Sequence, residues 1–324
     1  MVKLASAEMA EKKLATRAAF GATLAELAEE GVPVVAVDAD LTGSTTTKKF
    51  AAAAPENADK LFNCGIAEQN MIDVAAGLAL TGHVAYTGSF AVFGTGRAYD
   101  QIRNTVCYSN LDVKICPTHA GVSVGPDGGS HQMLEDVSLM RGLPNMRVLV
   151  PADYAAARAA IKLAAKTPGP VYVRMGRAAV PCVYDDDVEL ELGCAYVLRE
   201  GTDATVVACG VEIREALAAA DALAAEGISI EVIDAFSVKP LDEDTITASV
   251  AKTGCCVVAE EHSVHGGLGS AVAECLARKN PAPCEFVGVQ DRFGKSGEFE
   301  ELLGYFNLDA AAIVEAVKRA MGCK

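Results

Sequence analysis

Short runs of β-branched and apolar residues alternate with long alanine-rich stretches along this chain, and that alternation limits its fold more than any other feature. The runs at 34–37, 84–87, 113–116, 147–150 and 171–174 are too short for helices and lack the polar alternation of a half-exposed strand. Strands of this kind are buried on both faces, which happens when helices cover both sides of a parallel sheet. The stretch at 176–193, with Pro181 and an acidic run, interrupts the rhythm and reads as a connection between domains. Beyond it ATVVAC, ISIEVI, CCVVAEE and CEFVGV restart the pattern as a second, smaller layer. The expected fold class is α/β with two domains, each a mainly parallel sheet flanked by helices. The expected bounds are 1–180 for the first domain, 181–192 for the linker and 193–324 for the second domain.

Composition narrows the function. A formal charge of -15 leaves no basic face for a phosphate backbone, so nucleic acid is not an expected partner. No apolar run is long enough to span a membrane, and residues 1–13 read as an amphipathic helix rather than a signal peptide. The eleven cysteines form no CxxC pair, as expected of reduced thiols in a cytoplasmic protein. The five histidines fall in no metal-ligand spacing, so no metal held by this chain is expected.

Polar residues gather where strands should end, in VDADLTGSTTT, in LFNCGIAEQNM, and from YTGSF through THAGVSVGPDGGSHQ. Ligands of open parallel sheets collect at such carboxyl ends. Glu68 opens an alanine- and glycine-rich helix beside Ile66, Met71 and Val74, so its carboxyl should be desolvated and its proton held more tightly. The helix macrodipole alone also favours a glutamate there.

GIAEQN, YTGSF, THAG, DGGSHQ, LPNM and the PAD turn, in this order and spacing, resemble the pyrimidine-binding domain of the transketolase family; the second domain resembles that family's C-terminal domain. The resemblance implies thiamine diphosphate as cofactor and transfer of a two-carbon ketol unit between sugar phosphates in the pentose phosphate pathway. It implies catalytic roles for Glu68, at the N1′ atom of the aminopyrimidine, and for His131. Phe90 and Phe93 match the aromatic platform for the pyrimidine, and Asp40 matches a residue near the thiazolium. Either phenylalanine could equally be core, and Asp40 an ordinary turn residue. Arg17, Ser44, His119 and Arg174 match the phosphate end of the substrate site, with Asp127 and His131 nearer the reacting carbons. Arg17 and Arg174 could also be a solvated helix face and a strand-end charge.

The family's diphosphate and cation motif, GDG followed by a distant Asn, has no counterpart here, and GPDGG lies in the substrate segment. The resemblance therefore implies a separate N-terminal, diphosphate-binding subunit that holds Mg2+ or Ca2+, in an α2β2 assembly. Deoxyxylulose-phosphate synthases share GIAEQ and RAYDQ, although they carry Arg where this chain has Phe93 and His119. That relationship, a 2-oxo acid dehydrogenase beta-like subunit and a non-catalytic scaffold stand as alternatives. In the second domain, AEEHSVHGGLGSA is either an anion site or a close-packed strand-to-helix turn.

Overall fold

A computed structural model describes residues 2–324. In chain order the strands are β1 (Lys13–Ala15), β2 (Val34–Asp38), β3 (Leu61–Asn63), β4 (Val84–Gly88), β5 (Val113–Ile115), β6 (Arg147–Leu149), β7 (Val171–Val173), β8 (Ala179–Pro181), β9 (Tyr196–Arg199), β10 (Ala204–Ala208), β11 (Ile230–Asp234), β12 (Ser237–Lys239), β13 (Cys256–Ser263) and β14 (Cys284–Val289). The larger sheet has the order β12-β6-β7-β5-β4-β2-β3, the smaller one β14-β13-β10-β11-β9. Within them only the edge strands β12 and β9 run antiparallel to their neighbours.

Every residue of β2, β4, β10 and β11 is buried, the polar Asp38, Glu231 and Asp234 included, as expected of strands covered on both faces. Helices Ala18–Glu29 and Tyr154–Lys166 bury Phe20, Leu24, Ala157 and Ile161 on one face of the larger sheet. Helix Glu68–Leu80 sets Met71, Ile72 and Ala75 on the other. Asp153 caps helix Tyr154–Lys166 through the Ala156 amide at 2.8 Å, and its second oxygen accepts the Val183 and Tyr184 amides. One carboxylate thus starts a helix of the first domain and fixes the connection to the second.

Three features depart from the sequence reading. The N-terminal segment makes only one helical turn, Ala7–Ala10, because Lys13–Ala15 is drawn into an antiparallel pair with Ala179–Pro181. Tertiary pairing here overrides local propensity. The stretch read as a linker, for which the sequence predicts no packing, buries Tyr184, Val188 and Leu190. Finally, β12 follows the second domain's β11 yet pairs with β6 at the edge of the first domain's sheet.

Tyr184 closes the junction by donating to Asp234 Oδ2 at 2.6 Å, while Asp234 Oδ1 has no partner. Burial pushes the Asp234 carboxyl up to about 7, against the lowering effect of Tyr184. Its folded-state affinity for a proton thus exceeds that of the unfolded chain, so its contribution to stability is full below pH 4 and is lost as pH rises through 7. Asp234→Asn should remove a slope of about 1.4 kcal/mol per pH unit between pH 4 and 7. Urea melts across that range check it; identical slopes for the two proteins would refute the assignment.

Candidate functional site

The segments after β2, β3, β4, β5 and β7 all leave the same edge of the larger sheet, and they carry the polar residues picked out above. After β2, buried Asp38 accepts from Leu41 N (2.7 Å), Thr45 Oγ1 (2.7 Å) and Thr47 Oγ1 (2.9 Å), which folds residues 41–47 back on the strand. Burial pushes the Asp38 carboxyl up despite these donors. Asp40 adopts a left-handed φ of 65°, is exposed, and exchanges hydrogen bonds with Asn63 at the end of β3 at 3.1 Å. The Ser44 carbonyl accepts from Arg17 at 2.8 Å, so these two are neighbours.

Glu68 is the first residue of helix Glu68–Leu80 and is 2% exposed. Its surroundings differ from the apolar pocket expected, because Arg97 Nη1 lies 2.9 Å from both carboxylate oxygens. The same guanidinium sits over the Phe93 ring, 4.5 Å from its centroid. A planar nitrogen group at this position thus meets a buried carboxylate and an aromatic face together. Arg97 ends the π-helical segment Val92–Arg97, a widened turn common at functional sites.

Phe90 and Phe93 lie nearly parallel, with centroids 6.1 Å apart, and His119 stacks on Phe90 at 3.8 Å. His131 stands edge-on to Phe93 at 5.4 Å, and its Nδ1 is 2.9 Å from Ser130 Oγ. The His119 imidazole is pushed down to about 3, chiefly by burial and then by Arg17, Arg177 and His131. It is therefore neutral at ordinary pH. Asp127 ends the short helical turn Val122–Asp127 and is exposed. The structure brings Glu68, Phe90, Phe93, His119 and His131 into one cluster, with Arg17 and Ser44 along its side.

Arg174 does not join them. It is 7% exposed, its Nε donates to Asp136 Oδ2 at 2.7 Å, and its Nη2 donates to the Glu261 carbonyl at 2.9 Å. The arginine that acts on His119 together with Arg17 is Arg177, which donates to the Val124 carbonyl at 3.0 Å. The signal for this was in VRMGR: Arg174 directly continues a fully buried strand, whereas Arg177 follows Gly176 into the loop. No sequence spacing announced the Glu68–Arg97 pair. In the second domain Glu260 accepts the Leu268 and Gly269 amides at 2.7 and 2.8 Å, so its carboxylate already fills the helix start considered for an anion. Among the described residues no group of three or more His, Cys, Asp or Glu can hold a metal ion.

Fold and site together define a ligand-binding α/β chain suited to a flat aromatic ring at one end and an anion at the other. Residues 12–183 match the family model described as transketolase, pyrimidine binding domain, and residues 193–313 match that for transketolase, C-terminal domain. The chain belongs to the transketolase family. It is 44% identical to a putative transketolase C-terminal section from Methanocaldococcus jannaschii, over 94% of this chain and 96% of that one. It is 43% identical to the 6-deoxy-6-sulfo-D-fructose transketolase subunit SqwH of a Clostridium species, over 90% of each. Among solved structures it resembles a split gene transketolase, an inactive beta4 tetramer, with TM-score 0.87 and 48% identity over 96% of this chain and 99% of that chain.

Because Glu68 is buried and Arg97 half exposed, removing the guanidinium strands a carboxylate in a dry environment. Arg97→Ala should cost about 1–3 kcal/mol at neutral pH, and the Glu68→Gln, Arg97→Ala double variant clearly less than the sum of the two changes. Urea melts of the four proteins test the coupling; strict additivity would mean that the pair contributes nothing.

Proposed function

We propose that this chain is the pyrimidine-binding, C-terminal subunit of a thiamine-diphosphate-dependent transketolase that moves a two-carbon ketol unit between sugar phosphates. It works with a separate diphosphate-binding subunit in an α2β2 assembly. The observation that carries this reading is the convergence of Glu68 and Phe93 on one flat cationic group, the Arg97 guanidinium. An aminopyrimidine likewise needs a carboxyl at its ring edge and an aromatic face beneath it. The residues present therefore fit this half of the cofactor.

When bound, thiamine diphosphate supplies the nucleophilic carbon and stores the two-carbon fragment. Glu68 presents its carboxyl to the pyrimidine edge, where it shares a proton with the ring nitrogen, and Phe93 and Phe90 keep that ring flat and dry. Asp40 takes a position beside the thiazolium. His131 and Asp127 act at the reacting hydroxyls as proton carriers and hydrogen-bond partners. Arg17 and Arg177 hold the terminal phosphate, and Ser44 and neutral His119 orient it; Arg177 takes the place first given to Arg174.

Both the M. jannaschii section and the Clostridium subunit are spanned almost end to end, which supports a two-chain enzyme whose other chain carries Mg2+ on the diphosphate. Ile66, Leu80 and Tyr108 expose apolar surface, with 79%, 74% and 89% of each accessible, and this supports subunit contact around the Glu68 helix. Free thiols at all eleven cysteines support a cytoplasmic setting. Among the described residues no helix is long and apolar enough to cross a membrane. The substrates fit the pentose phosphate pathway.

The purified chain should show no ketol transfer alone and gain it with its diphosphate-binding partner, thiamine diphosphate and Mg2+, assayed on xylulose 5-phosphate and ribose 5-phosphate. Full turnover by this chain alone would exclude the shared site. In the assembled enzyme Glu68→Gln should preserve assembly and lower turnover by about 10²-fold or more. An unchanged rate would remove Glu68 from its role.

A further inference from the structure

The second domain reaches into the substrate loop from two directions. At its near end, the Glu261 carboxylate from β13 accepts the Ser123 amide. It packs so closely beneath Gly121 that a side chain there would overlap it. Glu261 is 3% exposed, and its second oxygen lies 3.9 Å from Arg174 Nη1. At the far end, the 294–297 segment that follows β14 lies against Gly128, Gly129 and Gln132. A Cβ on Gly129 would stand 2.7 Å from the Gly294 carbonyl, and one on Gly294 would strike the Gln132 amide. Gln132 Nε2 donates to the Lys295 carbonyl at 2.9 Å and to the Val122 carbonyl at 3.0 Å, which links the two ends.

Between these grips lie Asp127 and His131, and His119 lies two residues before Gly121. The loop is anchored by buried Val122, Val124 and Met133, but between them Pro126, Asp127 and Ser130 are exposed. Across that exposed stretch its path is held by a carboxylate and a backbone segment of the other domain. We infer that Glu261 and the 294–297 segment are positioning residues, through which the second domain sets the placement of Asp127 and His131. This rests on the reading that those two residues serve the substrate.

The grip is read first in the chain alone, by amide hydrogen exchange. Glu261→Ala should accelerate exchange across 121–132 while leaving 68–80 unchanged, and Glu261→Gln, which keeps an acceptor for Ser123, should restore most of the protection. Equal exchange in wild type and Glu261→Ala would overturn the inference. In the enzyme assembled with its partner, Glu261→Ala and Gly294→Ala should lower kcat/KM for the sugar phosphate roughly ten- to hundred-fold. Their affinity for thiamine diphosphate should stay within about twofold, a split that general unfolding does not give. His131→Ala is run beside them. If it is inactive while Glu261→Ala and Gly294→Ala turn over normally, the second-domain grip is wrong and the site reading stands. If His131→Ala itself keeps full activity, the site reading fails and this inference goes with it.

Discussion

Because β2, β3, β4, β5 and β7 pair in parallel, the segments that leave them emerge together at one edge of the sheet. Residues far apart in sequence, such as Asp40, Glu68, Phe90, His119 and Arg177, are thereby delivered to one surface before any of their side chains interact. The crossovers back to the opposite edge must be helices, and burying those helices is what the alanine-rich stretches do. Alanine allows close helix-to-sheet approach and retains strong helix propensity. The site is therefore a consequence of the pairing direction, and the local chemistry refines it.

Where the two domains meet, charge is buried rather than avoided. Arg174, Asp136 and Tyr172 form a closed group in which Tyr172 donates to Asp136 Oδ2 at 2.5 Å. The Arg174 guanidinium holds the Asp136 carboxyl low even though burial works against it. From the other domain, Glu261 offers both its carbonyl and its carboxylate to the same arginine. Taking these ions out of water is expensive, and their mutual attraction repays it only while all partners are in place. Such a cluster adds little net stability but is intolerant of sliding, which suits an interface that must hold a loop at a fixed height.

Much of this was legible in the sequence because it follows from pattern. The nine strand runs fall on observed strands within a residue or two, except where CCVVAEE continues as far as Ser263. Glu68 at a helix start and the aromatic pair of Phe90 and Phe93 were visible as local order in GIAEQN and SFAVF. Illegible were the pairings that depend on how distant segments dock. Arg97 reaches Glu68 because the Val92–Arg97 segment winds as a π-helix, which no periodicity argument favours. The choice between Arg174 and Arg177 depended on which side of the sheet edge each falls. Likewise the N-terminal residues became a strand only because Ala179–Pro181 offers an unpaired edge.

The electrostatics of the anion end follow from the same arrangement. The chain as a whole is acidic, at -15, yet two arginines stand together here: Arg17 is held below its usual range by burial and then by Arg177. His119 sits beside both, and two explanations compete for its missing proton. If cationic neighbours were the main cause, an arriving phosphate would cancel them and charge the imidazole. Burial is the larger cause, however, and stacking on Phe90 keeps the ring enclosed. The enclosed ring is thus a neutral hydrogen-bonding group rather than a charge. The positive charge of this end is carried by the two arginines.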